Sequence, residues 1–246
     1  MLPVDTARFI IGIIGNVISL VLFLSPLPAI VKIWSERKVA HFSSAPYLAT
    51  FINCGLWLVY GTPIIHPKGL LVMTINGAGV AIEVVFLFVF FFCSDKRKRL
   101  ELGVAILVEV IFFAALVALV ITLAHTWETR SAVVGGIAAL ASIVMYASPL
   151  ASMKLVITTK SVEYMPLSLS VCSLVNSLCW SLYALMRMEI FILAPNGIGV
   201  LLGLAQILLY AKYYKSSKGV ERKRVLVEVG SEVGLTQGNK KPMSEA

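Results

Sequence analysis

The segment Asn53–Tyr60, NCGLWLVY, has a counterpart 123 residues later in Asn176–Tyr183, NSLCWSLY. In both segments Asn, Trp and Tyr keep the same order and the same spacing. Apolar composition alone rarely aligns these residue types in register, so the match predicts an internal repeat. It extends to Ser25-Pro26-Leu27 and Ser148-Pro149-Leu150, and with a shift of 120 residues to Asn76–Val80 and Asn196–Val200.

The composition of the chain places these segments in a membrane. Of 246 residues, 59% are hydrophobic and 14% are charged, with a mean hydropathy of +0.90, whereas soluble domains carry about 25% charged residues. This balance excludes a soluble enzyme. Seven apolar runs are each long enough to cross a hydrocarbon core of about 30 Å as a helix, at about 9–33, 45–65, 70–93, 102–124, 131–153, 165–186 and 190–213.

The repeat and the seven runs predict an all-α membrane protein with a 3+1+3 arrangement of helices. A three-helix unit that starts on one side of the membrane ends on the other, so a second parallel unit needs a linking helix. We expect a first repeat over 1–101, linker helix 4 with an outer loop over 102–130, and a second repeat over 131–213. Residues 214–246 are polar, which predicts a disordered tail. Parallel repeats build one substrate site near the membrane midplane in transporters.

The basic residues predict the orientation of the chain in the membrane. Of the 21 Lys and Arg residues, 17 lie in the set of alternate segments that includes the tail, and four lie in the opposite set. Because cytosolic loops are enriched in Lys and Arg, we expect the N-terminus outside and the tail in the cytosol. The net charge of +8 then reflects topology, and no nucleic-acid partner is expected.

No residues in the sequence have the spacing of a catalytic or metal site. We find no nucleophile–base pair and no cluster of metal ligands, so no catalytic residue, metal or cofactor is predicted. The cysteines lie inside apolar runs and are interpreted as small buried hydrophobes. They are Cys54, Cys93, Cys172 and Cys179.

Seven short motifs, taken together, are typical of one transporter family. They are Gly15-Asn16, Ser25-Pro26, Pro46-Tyr47, Leu70–Gly79 (LLVMTINGAG), Met145–Leu150 (MYASPL), Lys160–Pro166 (KSVEYMP) and Pro195-Asn196-Gly197. Over residues 8 to about 215 the chain resembles the SWEET family of sugar transporters, and in particular its plant hexose-transporting branch. The resemblance implies bidirectional, facilitated passage of a hexose by alternating access. It also implies a plasma-membrane location, with the vacuole or another endomembrane as the alternative, and homo-oligomers.

Two other classes of protein share some of these features. A PQ-loop exporter of amino acids is the closer alternative, although this chain has Ser-Pro-Leu where that family has Pro-Gln. A seven-helix receptor also has an outside N-terminus, but a 3+1+3 repeat with paired Trp and Asn is not expected of it. Neither alternative predicts a sugar as the transported substrate.

Four side chains at matching depth predict the substrate-binding residues. Trp57 and Asn76 each lie about seven residues from the outer end of a predicted helix, and Trp180 and Asn196 match them through the repeat. An aromatic ring covers the apolar face of a sugar, and an Asn amide both donates and accepts hydrogen bonds. Singly, each Trp is also interpretable as an interfacial anchor and each Asn as an interhelical hydrogen bond. The matched set favours a sugar site.

Four further residues are expected to line the same pocket. Asn53 and Asn176 lie one helical turn from the tryptophans on the same face, and the resemblance implies that they line the pocket together with Leu22 and Met145. The disaccharide-transporting relatives carry Ser and Val at these positions, so the bulkier side chains predict a monosaccharide. The alternative is that Leu22 and Met145 only fill helix contacts.

The resemblance also implies hinge and gate residues. Pro26, Pro46, Pro149 and Pro166 are expected to act as hinges, because proline removes a backbone hydrogen bond and kinks a helix. The alternative for Pro46 and Pro166 is that they only begin their helices.

Acidic and aromatic residues near the outer ends complete the prediction. Tyr60 and Glu189 match the extracellular gate of the family, although Tyr60 is also interpretable as an aromatic-belt residue.

Glu83 is an intramembrane acid without a partner in the repeat. We interpret it as a structural, hydrogen-bonding acid and expect no proton coupling.

Overall fold

The structure, a computed structural model, describes residues 3–39 and 42–238, with side chains described up to residue 218. Over these residues the regular structure is helical, without a strand. The helices are α1 (Val4–Leu24), α2 (Leu27–Glu36), α3 (Ala45–Tyr60), α4 (Leu70–Cys93), α5 (Lys96–Leu123), α6 (Trp127–Met145), α7 (Ala147–Thr159), α8 (Leu167–Leu185) and α9 (Ile190–Gly238). The predicted all-α class is confirmed.

Six stretches of the described chain are long and apolar enough to cross a membrane. They are Val4–Glu36, Leu70–Cys93, Lys96–Leu123, Trp127–Thr159, Leu167–Leu185 and Ile190–Lys218. The apolar helix α3 is shorter, with 16 residues. These elements correspond in order to the seven predicted runs. Two of the runs contain two helices each, α1 with α2 and α6 with α7.

The four predicted hinge prolines lie at helix starts or breaks. Pro26 lies in the break between α1 and α2, and Pro149 lies in the first turn of α7. Pro46 lies in the first turn of α3, and Pro166 directly precedes α8. Proline is tolerated at these positions because the first N–H groups of a helix have no intrahelical partner. Their function as hinges stays a prediction.

The backbone itself repeats where α2 and α7 end. Arg37 has a φ of 54° and Lys160 has a φ of 56°, and the two residues are 123 positions apart. A left-handed backbone is uncommon for residues other than glycine. The same unusual turn therefore follows the second helical segment of each repeat.

Packing divides the chain into two compact units, Met1–Ala147 with Cys172–Leu201 and Ser148–Val171 with Leu202–Ala246. In the first unit, α3 packs against α4, α5 and α6, and α4 also contacts α1 and α2. One core cluster surrounds Trp57, Tyr60 and Trp180, and another surrounds Ile33 and Phe90. The boundaries of these units differ from the predicted repeat boundaries, which stay a prediction.

In the second unit, the loop after α7 contacts α9. Lys160 Nζ donates a hydrogen bond to the Tyr213 hydroxyl at 3.4 Å. Ser217 Oγ accepts from the Val162 N–H at 3.2 Å and lies 3.3 Å from Ser161 Oγ. These bonds hold the polar loop onto the helix.

The last helix extends into the segment that was expected to be disordered, residues 214–246. α9 continues to Gly238, and the expected disorder stays a prediction. Once the membrane-spanning part of a helix is formed, each further residue adds one hydrogen bond without a new nucleus. The Lys, Arg, Glu and Leu residues of this segment have favourable helix propensities. Residues 239–246 lie outside the described part of the chain.

Candidate functional site

A cavity of about 330 Å³ lies in the first unit, between α1, α3, α4, α6, α8 and the first turns of α9. Small-molecule sites typically span about 300–1,000 Å³, so this cavity is at the small end of the range. All eight residues predicted to bind the substrate or line its pocket surround it. They are Trp57, Asn76, Trp180 and Asn196, with Leu22, Asn53, Met145 and Asn176.

Asn76 and Asn196 are fixed in the same way on α4 and α9. Asn76 Nδ2 donates to the Val72 carbonyl and Asn196 Nδ2 donates to the Ile192 carbonyl, both at 2.8 Å. Each bond runs back one turn along the helix that carries the asparagine. Among the described residues no group donates to either Oδ1 atom, so both oxygens are available to accept a hydrogen bond from a ligand.

Trp57 and Trp180 lie in the cavity wall with 7% of each residue exposed. The indole Nε1 of Trp57 donates to Ser142 Oγ at 2.9 Å, and that of Trp180 donates to Ser19 Oγ at 3.1 Å. Because an indole N–H is only a donor, these bonds fix the orientation of both rings. Both rings contribute apolar surface to the cavity wall.

The same two serines hold the second pair of asparagines. Ser142 Oγ donates to Asn53 Oδ1 at 2.8 Å, and Ser19 Oγ donates to Asn176 Oδ1 at 2.7 Å. The sequence analysis missed both serines. Their 123-residue separation, the shift of the repeat, was the signal that could have identified them.

Tyr60 and Glu189, the predicted gate residues, belong to a network with Arg8 and His66, which the sequence analysis did not single out. Glu189 Oε1 binds Arg8 Nη2 and lies 3.3 Å from His66 Nε2. The rings of Tyr60 and His66 stack, with centroids 4.8 Å apart and planes 15° apart. The network connects α1, the loop after α3 and the start of α9.

Arg8 is 6% exposed although it lies in an apolar helix. Its guanidinium carbon lies 3.9 Å from the centroid of the Tyr183 ring, and its Nε donates to the Tyr183 carbonyl at 3.3 Å. Burial of a charge is costly without partners, and the partners here are Glu189 and Tyr183. Arg8 directly precedes the first apolar run, and no spacing in the sequence relates it to Glu189.

With this geometry established, comparison with known proteins identifies the family. The model of the family described as "Sugar efflux transporter for intercellular exchange" matches residues 9–98 and 132–218. The chain belongs to this SWEET family. It is 50% identical to the bidirectional sugar transporter SWEET4 of Oryza sativa subsp. japonica, over 89% of this chain and 85% of that one. It is also 50% identical to the bidirectional sugar transporter SWEET7 of Arabidopsis thaliana, over 88% and 84% respectively.

A solved structure supports the same assignment. The structure of a eukaryotic SWEET transporter matches with a TM-score of 0.83 and 35% identity, covering 86% of this chain and 99% of that one. The predicted 3+1+3 SWEET fold is therefore confirmed. Because members of this family are membrane transporters, the prediction that the chain is not an enzyme is also confirmed.

Glu83 of this SWEET protein does not line the cavity. Glu83 is 2% exposed, and its Oε2 has no hydrogen-bond partner among the described residues. The expected role as a hydrogen-bonding acid is therefore not observed. Glu83 has no acidic counterpart in the second repeat, so the repeat could not predict which residues surround it.

Proposed function

We propose that this SWEET protein is a bidirectional, facilitative transporter of a monosaccharide, glucose or another hexose. The observation that carries the proposal is the cavity of about 330 Å³ in which two indole rings and four asparagine amides converge. Its small volume suits one sugar ring.

The polar groups of the cavity match the chemistry of a sugar. The Oδ1 atoms of Asn76 and Asn196 are hydrogen-bond acceptors, because their Nδ2 atoms are bound within their own helices. The Nδ2 atoms of Asn53 and Asn176 are donors, because their Oδ1 atoms accept from serines. A sugar hydroxyl both donates and accepts, and so it can satisfy either type of group. The two indole faces suit the C–H faces of the ring.

We infer that transport follows alternating access. The Arg8–Glu189–His66 network with Tyr60 is the extracellular gate, and the breaks at Pro26 and Pro149 give the helix ends freedom to move. The sequence contains no nucleotide-binding motif, so net flow follows the sugar gradient. The N-terminus faces the outside of the plasma membrane, the C-terminus faces the cytosol, and the working form is a homo-oligomer.

The test is uptake of labelled glucose, fructose, galactose and sucrose by proteoliposomes at several pH values. We expect saturable hexose uptake, counterflow in both directions, slower sucrose uptake and little effect of pH. Asn196→Ala protein in matched vesicles is the control for leakage. Monodisperse protein that carries no hexose would contradict the proposal, and uptake of amino acids instead would favour the PQ-loop alternative.

A further inference from the structure

Among the positions at or beside the cavity that the repeat makes equivalent, three pairs differ in polarity or in backbone chemistry. The first repeat has apolar side chains at all three, whereas the second has two hydroxyl groups and a proline. The pairs are Phe23 with Tyr146, Cys54 with Ser177 and Ile75 with Pro195.

Pro195 directly precedes Asn196 in α9. It lies inside the helix and is fully buried. Proline lacks the N–H that a helical residue donates to the carbonyl four positions earlier. The turn that leads to Asn196 therefore lacks one backbone hydrogen bond, whereas Ile75, before Asn76, retains its N–H.

The Tyr146 hydroxyl binds the backbone at this proline. It donates to the Pro195 carbonyl at 2.6 Å. That carbonyl belongs to the peptide unit that joins Pro195 to Asn196, so the hydroxyl fixes the plane of the peptide that carries the asparagine. Phe23, at the equivalent position, has no hydroxyl with which to bind the peptide before Asn76.

Close packing fixes the position of this hydroxyl. A Cβ atom at Gly199 would lie 2.7 Å from the Tyr146 hydroxyl oxygen and 2.5 Å from Ser177 Oγ. The absence of a side chain at Gly199 lets α9 approach both polar groups. At the equivalent Gly79, a Cβ would lie 2.9 Å from the Phe23 ring, so the approach is similar but apolar.

We propose that Tyr146 is a positioning residue of the sugar site, which acts through the Pro195 carbonyl on Asn196. The Tyr146 hydroxyl restrains the turn of α9 that lacks a backbone hydrogen bond at Pro195. The first repeat needs no such hydroxyl, because Ile75 of α4 keeps its N–H. The side chains of the two asparagines are bonded alike, but the peptide before Asn196 is held by Tyr146 and has no such counterpart before Asn76. This inference rests on the proposed function, since the position of Asn196 matters to transport only if the cavity binds the sugar.

The test compares Tyr146→Phe in the natural chain and in a Pro195→Ile background. The double variant gives the second repeat the Phe and Ile of the first. In the natural chain we expect Tyr146→Phe to raise the KM for hexose uptake about fivefold, the size expected for one lost hydrogen bond, at unchanged protein level. In the Pro195→Ile background the same change is expected to alter KM less than twofold.

An equal effect in both backgrounds would assign Tyr146 to packing or direct sugar contact and overturn the proposal. An unchanged KM for Tyr146→Phe in the natural chain would overturn it as well, whatever the proline variants do. Pro195→Ala, which also restores the N–H, is the second background if Pro195→Ile does not fold. The matched control is Tyr210→Phe, since Tyr210 does not line the cavity. Natural protein that takes up no hexose would count against the proposed function instead.

Discussion

Ser19 and Ser142 are equivalent residues of the two repeats, and each binds the tryptophan and the asparagine of the other repeat. Each hydroxyl accepts from an indole N–H and donates to an amide oxygen, and so uses its proton and a lone pair. The partners are Trp180 and Asn176 for Ser19, and Trp57 and Asn53 for Ser142. The polar wall of the cavity is therefore connected reciprocally.

Removing one of these hydroxyls should weaken sugar binding without unfolding the protein. Ser19→Ala or Ser142→Ala leaves an indole N–H and an amide oxygen unpaired, which we expect to raise KM about 30-fold, at about 1 kcal/mol for each of the two bonds. Uptake kinetics at matched protein levels measure the effect. Ser152→Ala is the control, because that hydroxyl only bonds within α7. Unchanged KM in both variants would mean that the serines do not position the site.

The two asparagines on α4 and α9 should be essential. Asn76→Ala or Asn196→Ala leaves a buried sugar hydroxyl unpaired, at a cost of about 1–3 kcal/mol in each state of the cycle. We expect uptake to fall to background while surface expression stays normal. Uptake near the natural rate from a correctly expressed variant would remove these residues from the site.

The size of the cavity should decide between one sugar ring and two. Replacing Asn53 and Asn176 by Ser, and Leu22 and Met145 by Val, removes volume at four lining positions. We expect graded gains of sucrose uptake, since discrimination by size is typically about 1–3 kcal/mol. Hexose affinity should fall, because Asn53 and Asn176 also lose their bonds to the serines. Sucrose uptake by the natural chain as fast as glucose uptake would refute the size argument.

The buried Arg8–Glu189 ion pair should stabilise the protein far more than the exposed Asp5–Arg187 pair. Glu189→Gln leaves the buried Arg8 without its carboxylate, which typically costs about 3–5 kcal/mol. In detergent we expect the unfolding temperature to fall by about 6–20 °C. Asp5→Asn breaks the pair with Arg187, in which the Asp5 side chain is 73% exposed and the Arg187 side chain 35% exposed. This variant should change the unfolding temperature by about 2 °C or less. Equal changes in unfolding temperature for both variants would show that burial does not determine how much these ion pairs stabilise the protein.

The repeat revealed residues of rare types that recur in register, but common residue types and contacts between distant segments were missed. Trp57 and Trp180 were identified because a rare residue type recurs in register. Ser19 and Ser142 recur equally well, but serine is common and carries little information alone. Arg8 and His66 reach Glu189 only through the tertiary fold, so no local pattern could predict their contact.

Other differences follow from the limits of local rules. The breaks at Pro26 and Pro149 follow from proline chemistry and could be anticipated. The hydrogen bond from Tyr146 to Pro195 joins two helices distant in sequence, and no spacing rule relates them. Residues 214–238 continue a membrane-spanning helix, and such a continuation needs no new nucleus.

Helix α3, which carries two residues of the cavity wall, is shorter than a typical membrane span. Its 16 residues extend about 24 Å at 1.5 Å per residue, less than a typical hydrocarbon core of about 30 Å. Hydrophobic mismatch is relieved by local thinning of the bilayer or by strain in the helix. Because none of the α3 residues from 47 to 60 is exposed, neighbouring helices rather than lipid surround the helix that carries Trp57 and Asn53, and its span need not match the thickness of the bilayer.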